Sequence, residues 1–118
     1  MKETVLGLTK DLNYYFCQET VSMGKGIDAL CGVIRSNLSR DPLSNEVFIF
    51  LGKNRKQIKI LRWESGTFIL YTIKLYNGKY FRPEYNLESA SFNMCWKEFL
   101  SLICNYKETR NRIKSIPY

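Results

Sequence analysis

Basic side chains are concentrated in one short stretch of this 118-residue chain. The chain has 18 Lys and Arg against 11 Asp and Glu, a net charge of +7. Residues 53–82 alone hold eight bases and one acid, Glu64, which matches the whole excess. The bases are Lys53, Arg55, Lys56, Lys59, Arg62, Lys74, Lys79 and Arg82. Such a cluster favours binding of a polyanion, above all a nucleic acid.

The same cluster is compatible with roles that involve no nucleic acid. A Lys-rich sheet surface prevents strand edges from pairing with other chains and needs no ligand. An acidic protein or an anionic membrane surface would also be attracted by it. Residue types alone therefore do not decide between a solvated surface and a polyanion-binding site.

Catalytic chemistry has few candidates in this sequence. Histidine is absent, which removes the commonest general base, the His-paired nucleophiles and every His-containing metal site. The carboxylates form no close, isolated pair of the kind that a metal-dependent nuclease needs. The cysteines include no Cys-x-x-Cys pair. We therefore predict that the protein is not an enzyme and has no catalytic residues, no bound metal and no cofactor.

Two weaker signals each have a functional and a structural interpretation. Lys25, between Gly24 and Gly26 at a predicted helix start, could hold a phosphate, but the spacing is not that of a Walker loop. Simple helix initiation accounts for it better. Trp63 and Tyr71 could stack on unpaired bases, although packing in the core is the more frequent role of such side chains.

Hydrophobic periodicity predicts two helices. Apolar residues spaced by three and four form one face of a helix over residues 24–38, which ends before the Asp-Pro pair at 41–42. A second helix is predicted from residue 93 to about residue 109 or 111. Its apolar face is wide, so it needs either central packing against a sheet or a protein partner.

Extended segments are predicted at residues 13–17, 46–51, 57–63, 68–75 and 79–82. The run 46–51 holds five consecutive apolar residues, the pattern of a strand buried on both faces. Polar loops separate the following segments, and Asn77-Gly78 is a strong β-hairpin signal. The last four segments therefore predict an antiparallel meander. Packed against the two helices, it makes a single α+β domain over residues 1–118.

Turn alternation in a meander predicts where the cations lie. Successive turns fall at alternate ends of the sheet, so loop 52–56 and turn 77–78 share one end, and loop 64–67 lies at the other. The cations expected together at the shared end are Lys53, Arg55, Lys56, Lys74 and Lys79. With Lys59 from the adjoining strand, they are the predicted nucleic-acid-binding residues.

The cysteines and the apolar runs predict the compartment. We expect Cys17, Cys31, Cys95 and Cys104 to be reduced thiols in the core of a cytoplasmic protein. The first residues lack the pattern of a signal peptide, and no apolar run is long enough to span a membrane. Cys95 and Cys104 lie nine residues apart on the predicted helix and point in nearly opposite directions, so they should not form a disulfide.

Four short motifs follow one another between residues 23 and 83. They are Met-Gly-Lys-Gly-Ile-Asp-Ala-Leu at 23–30, Asp-Pro-Leu-Ser-Asn at 41–45, Ile-Lys-Ile-Leu with Trp at 58–63, and Lys-Leu with Phe-Arg-Pro at 74–83. In order and spacing they resemble the TnpB-type accessory proteins, small Orf2-like proteins of the insertion-sequence sixty-six transposon group. Asn45 stands where that family usually has Gly, and Gly24 stands where it usually has Arg.

This resemblance implies a mobile-element protein that acts beside a separate, larger transposase and performs no catalysis itself. It implies no site residues, and the family is unrelated to the RNA-guided nuclease that shares its label. Two functions remain open. The protein binds DNA, or the transposase–DNA complex, through the basic cluster, or it is an adaptor that docks on the transposase without touching nucleic acid. The wide apolar C-terminal helix favours the adaptor, and the charge of residues 53–82 favours DNA.

Overall fold

One five-stranded sheet with a helix on each face organises the chain. The computed structural model describes residues 4–83 and 91–104. The elements are β1 (Tyr14–Cys17), α1 (Ile27–Ser36), β2 (Val47–Leu51), β3 (Gln57–Glu64), β4 (Thr67–Lys74), β5 (Ser91–Met94) and α2 (Trp96–Ile103). This architecture confirms the predicted α+β class.

The sheet has the strand order β4-β3-β2-β1-β5. β2, β3 and β4 form the predicted antiparallel meander, with bounds that lie within one residue of those expected from sequence. β1 lies parallel to β2, because the chain returns through α1 before it enters the sheet again. β5 completes the other edge by pairing antiparallel to β1.

The predicted strand over residues 79–82 is wrong, because these residues are not part of the sheet. Gly78 does make a turn with a positive φ of 81°. The chain then crosses the end of the sheet, where the Tyr80 amide donates to the Arg55 carbonyl at 2.6 Å and the Arg82 guanidinium donates to the Gln18 carbonyl. It takes this path because the next strand pairs at the opposite edge, beside β1.

β2 is buried on both faces, as its uninterrupted apolar run predicted. On one face, Phe48 and Phe50 pack with Leu30 and Ile34 of α1. On the other face, the core holds buried side chains from four strands and α2, together with one from the segment before β1 and one from the segment after β4. They are Leu8, Tyr14, Phe16, Val47, Ile49, Leu51, Ile58, Ile60, Tyr80, Met94, Phe99 and Leu102.

Both helices are shorter than the periodicity suggested. α1 begins at Ile27 and ends at Ser36, two residues before Leu38, whose amide donates to the Val33 carbonyl and closes the last turn. α2 begins at Trp96 because residues 91–94 are a strand. The predicted end of this helix, near residue 109 or 111, lies outside the described residues, as does most of the predicted loop over residues 84–91.

The cysteines are unpaired, as expected, but only half of them are core residues. Cys17 and Cys31 are buried, whereas Cys95 and Cys104 are exposed at the two ends of α2. The expectation of four core thiols is therefore wrong for this pair. Cys95 is the N-cap and Cys104 the C-cap of α2, so both lie just outside the helix that the periodicity assigned them to.

Tyr14 joins β1 to α2 and has a strongly perturbed phenol. Its ring lies 4.5 Å from that of Phe99 and 5.7 Å from that of Trp96, and its hydroxyl donates to the Thr9 carbonyl at 2.6 Å. Burial raises the pKa of Tyr14 to about 12. The phenol therefore stays protonated in the folded chain under conditions that ionise it in the unfolded chain.

This difference predicts a loss of stability at alkaline pH. Between about pH 10 and pH 12 the unfolded chain releases the phenolic proton and the folded chain keeps it, so the free energy of unfolding falls by at most about 3 kcal/mol. Urea unfolding at about pH 9 and pH 11.5 measures this fall. Tyr14→Phe should show a clearly smaller fall, and an equal fall in both proteins would contradict the assignment to Tyr14.

Candidate nucleic-acid interface

One end of the sheet collects the predicted cations. The carboxyl ends of β1, β2 and β4 and the amino end of β3 lie there, as the parallel and antiparallel pairings require. Loop 52–56 and segment 75–80 therefore share this end, as predicted. We call it the basic end and define it by Lys53, Arg55, Lys56, Lys74 and Lys79.

Loop 52–56 is held in a fixed conformation by short-range hydrogen bonds. The Gly52 amide donates to the Gln57 carbonyl at 2.9 Å, and the Arg55 amide donates back to the Gly52 carbonyl at 2.9 Å. The Asn54 side chain accepts from the Lys56 amide at 2.9 Å. The loop thus presents Lys53 and Lys56 as exposed side chains on an ordered backbone.

Segment 75–80 lies directly against this loop. Lys74 is paired with Gln57 in the sheet register, and the Leu75 amide donates to the Lys56 carbonyl at 2.9 Å. Tyr80 is 1 % exposed and fixes the far end of the segment in the core. These contacts place Lys74 and Lys79 next to the cations of loop 52–56.

Arg55 has a left-handed backbone, with a φ of 59°. A residue with a Cβ at such a φ costs about 1 kcal/mol relative to glycine. Arg55→Gly should therefore raise the free energy of unfolding by about 1 kcal/mol while it removes one cation. Urea unfolding tests this. Lys56→Gly is the matched control, because its backbone is not left-handed, and it should destabilise by roughly 0.5–1 kcal/mol.

A higher free energy of unfolding for Lys56→Gly, or a lower one for Arg55→Gly, would contradict the strain assigned to Arg55. The expected result would show that this position trades stability for a cation, the pattern of residues that serve a site.

Lys59 does not join the basic end. It is the third residue of β3, but its Nζ is turned to α1 and donates to the Lys25 carbonyl at 2.8 Å, ahead of that helix. Arg62 is also separated from the cluster, because it is 8 % exposed near the other end of the sheet, with Nη2 3.2 Å from Oε2 of Glu64. Sequence could not separate them, since the face covered by each helix decides which strand cations reach solvent.

The glycine-flanked Lys25 lies in the segment that leads to α1. The Val21 amide donates to the Leu51 carbonyl at 3.0 Å, and Met23 contacts Gly52 so closely that an added Cβ there would lie 2.8 Å from Cγ of Met23. Gly26 is the N-cap of α1. Helix initiation beside the end of β2 accounts for this motif.

Trp63 and Tyr71 have packing roles, the simpler of their two interpretations. The Trp63 ring meets Phe68 edge-on at 4.8 Å across β3 and β4. Tyr71 packs against the core on the α2 face and donates its hydroxyl to the Leu6 carbonyl at 2.8 Å. Neither residue lies at the basic end, because both are near the middle of the sheet or beyond it.

Sequence reasoning overlooked Tyr76. Its side chain is 96 % exposed, and it lies between Lys74 and Lys79 in segment 75–80. A usable signal was present, since an aromatic residue between two lysines and beside an Asn-Gly turn has little chance of reaching a core. The basic end therefore combines cations with one fully accessible aromatic ring.

The Asp-Pro motif at 41–45 builds a turn at the other end of the sheet. Oδ1 of Asp41 accepts from the Leu43 amide at 2.9 Å, and Asn45 has a φ of 66°. Asn tolerates this left-handed conformation better than most residues, which explains why it can stand in place of Gly. Arg40 then bonds both carboxylate oxygens of Glu46 and lies 3.9 Å above the Tyr15 ring. This motif is structural.

Neither a metal-ligand cluster nor a membrane-spanning helix occurs in the part of the chain that the structure describes. Within residues 4–83 and 91–104, no three Cys, Asp or Glu side chains are close enough together to hold a metal ion. Over the same ranges no helix is long and apolar enough to cross a membrane.

Comparison with known proteins agrees with the motifs. A family model described as "IS66 Orf2 like protein" matches residues 12–112. "Uncharacterized protein y4jC" from Sinorhizobium fredii is 24 % identical over 112 residues, which cover 95 % of this chain and 94 % of that protein. No solved structure matches the chain.

Proposed function

The chain belongs to the IS66 Orf2-like family of insertion-sequence accessory proteins, and from that premise we propose that it supports transposition by binding DNA through the basic end. The family is not a known enzyme class, in keeping with a role beside a catalytic transposase. The proposed partners are therefore DNA and the transposase of the same element.

Convergence of charge is the observation that carries this proposal. Five cations from separate parts of the chain meet at one end of the sheet, held by backbone hydrogen bonds between Lys56 and Leu75 and between Arg55 and Tyr80. Loop 52–56, Lys74 and segment 75–80 include no acidic residue. A scattered solubilising charge would not require two segments to be fixed side by side.

Phosphate groups are the expected targets of these cations. α1 and α2 both turn their apolar faces to the sheet. The cations lie on loops and at the end of β4 instead of on a helix that could enter a groove. Contacts to phosphates give affinity without sequence information. The proposed binding is therefore electrostatic and nearly independent of sequence.

A salt titration tests the proposal. Binding to a duplex from the element end and to an unrelated duplex is measured at several salt concentrations. Five phosphate contacts predict a log–log slope of about −4 to −5 for both. If the protein binds neither duplex nor single-stranded DNA at low salt, the basic end is solubilising or faces an acidic protein, and the proposal fails.

A transposase adaptor is the second candidate, favoured by the edge strand β4. β4 is eight residues long, is the last strand of the sheet on its side, and carries half-buried apolar side chains such as Ile69 and Tyr71. A strand of this kind can accept a partner strand. α2 no longer favours the adaptor, since Phe99 and Leu102 are buried in the core and Trp96 packs against it.

Strand addition can be tested separately from DNA binding. Thr72 is exposed in β4, and the register places its amide on the side away from β3. Thr72→Pro should abolish capture of the purified transposase if the edge is the docking site, and should leave the salt titration unchanged. If Thr72→Pro still captures the transposase, the edge of β4 is not the docking site.

A further inference from the structure

We propose that the basic end takes single-stranded DNA in preference to duplex, with Tyr76 stacking on an unpaired base while the neighbouring lysines contact phosphates. This inference rests on the proposed DNA binding and names its substrate class. It starts from a ring whose exposure no packing role explains.

Tyr76 differs from the other tyrosines of the described core. Tyr14 and Tyr80 are each 1 % exposed, and Tyr15 and Tyr71 are half-buried with ring or hydroxyl contacts. Tyr76 is 96 % exposed. Its ring contributes nothing to the core, so the folded chain presents nearly all of it to solvent.

The backbone on both sides of Tyr76 is anchored. Leu75 donates its amide to the Lys56 carbonyl and packs its side chain against the core, and Tyr80 donates its amide to the Arg55 carbonyl. The ring therefore projects from a short segment that is fixed at both ends. A fixed platform loses less conformational entropy on binding than a ring on a loose tail.

Charge around the ring selects the ligand. Lys74 and Lys79 flank Tyr76 in sequence, and Lys56 lies against the same segment. Aromatic rings among cations are the usual platform for single strands, where the ring covers a base and the cations follow the backbone. In a regular duplex both faces of each base are already covered, so only an unpaired base can use the ring.

The test compares Tyr76→Ala with wild type on two probes at the same salt. The probes are a mixed-sequence single-stranded DNA of about 12 nucleotides and the duplex of the same sequence, both followed by fluorescence anisotropy. Tyr76→Ala should weaken single-strand binding roughly tenfold or more and change duplex binding less than about twofold. The salt slope should not change, because no cation is removed.

Two variants serve as controls. Tyr76→Phe keeps the ring and should retain single-strand affinity. Leu43→Ala removes an apolar side chain that is 45 % exposed in the turn at the other end of the sheet, and it should change neither probe.

The outcomes separate this inference from the proposed function. If wild type binds duplex but Tyr76→Ala leaves single-strand binding unchanged, or weakens both probes equally, the stacking role is wrong and DNA binding stands. If wild type binds neither probe at low salt, both the stacking role and the proposed DNA binding are wrong. A loss of transposase capture by Tyr76→Ala, with both probes unaffected, would assign the ring to a protein contact and overturn the inference.

Discussion

Replacing Arg55 and Lys56 by alanine together should weaken binding to any duplex and reduce its dependence on salt. Five phosphate contacts give wild type a slope near −4.5, so its affinity falls about 500-fold from about 50 to 200 mM salt. Three remaining contacts give a slope near −2.7 and a fall of about 40-fold. If the two proteins bind equally near 1 M salt, the double variant binds roughly 200-fold more weakly at about 50 mM.

The matched control removes the same charge elsewhere. Lys10 precedes β1 and Lys97 follows β5, so both exposed lysines lie at the other end of the sheet. Lys10→Ala with Lys97→Ala should leave the slope near that of wild type. Equal effects of the two double variants would show that net charge, and not the basic end, sets the affinity.

Specificity gives a second check on the same variant. Phosphate contacts carry no sequence information, so Arg55→Ala with Lys56→Ala should weaken element-end and unrelated duplexes alike. Unfolding should change by no more than about 0.5 kcal/mol, since both side chains are at the surface. A loss confined to element ends would show that these residues contact bases, contrary to the proposed mode of binding.

Phe50→Ala should destabilise the chain by about 3–5 kcal/mol, the usual cost of removing a buried aromatic ring. Phe50 is 0 % exposed and lies on the central strand β2, where it packs in the cluster that joins α1 to the sheet. Neighbouring strands on both sides hold the backbone in place, so the cavity cannot easily collapse. Urea unfolding measures the change.

Phe50→Leu is the control for this substitution. It keeps most of the buried volume and should cost clearly less than Phe50→Ala. Equal costs would show that the ring itself, and not the filled space, stabilises the α1 face. A cost below about 1 kcal/mol for Phe50→Ala would contradict the packing described for that face.

The central strands could be predicted from the sequence because their signals are local and agree with one another. Val47–Leu51 is an uninterrupted apolar run, and only a strand covered on both faces can bury it. The turn at Ser65 and Gly66, with φ values of 52° and 80°, joins β3 and β4 through two residues of the type that hairpins favour. This two-residue turn sets the register of β3 against β4, with Glu64 opposite Thr67.

The edges of the sheet could not be predicted in the same way. Asn77-Gly78 indicates a turn but does not say which strand the chain meets next. β5 pairs with β1 and not with β4, so the residues after the turn had to cross the sheet. No local pattern in Ser91–Met94 identifies its distant partner, and those residues resembled the start of the following helix.

The candidate site likewise has a part that could be predicted from the sequence and a part that could not. Turn alternation was enough to bring Lys53, Arg55 and Lys56 beside Lys74 and Lys79, because it depends only on the order of the strands. The separate placement of Lys59 depends on where α1 packs, and the exposure of Tyr76 depends on the path after β4. Both are tertiary facts that composition and periodicity do not contain.

Pairing of β1 with β5 has a consequence for how the chain is made. Tyr14 faces Met94, a residue synthesised 80 positions later, whereas β2, β3 and β4 are joined by loops of five residues or fewer. The meander closes through contacts of low sequence separation, which form early. During translation β1 can reach β2, but its outer edge keeps a row of unpaired amides and carbonyls until residues 91–94 leave the ribosome. The nascent protein thus passes through an interval in which the strand carrying Tyr14 and Phe16 is an additional open edge that can pair with another chain, and pairing with β5 ends that interval.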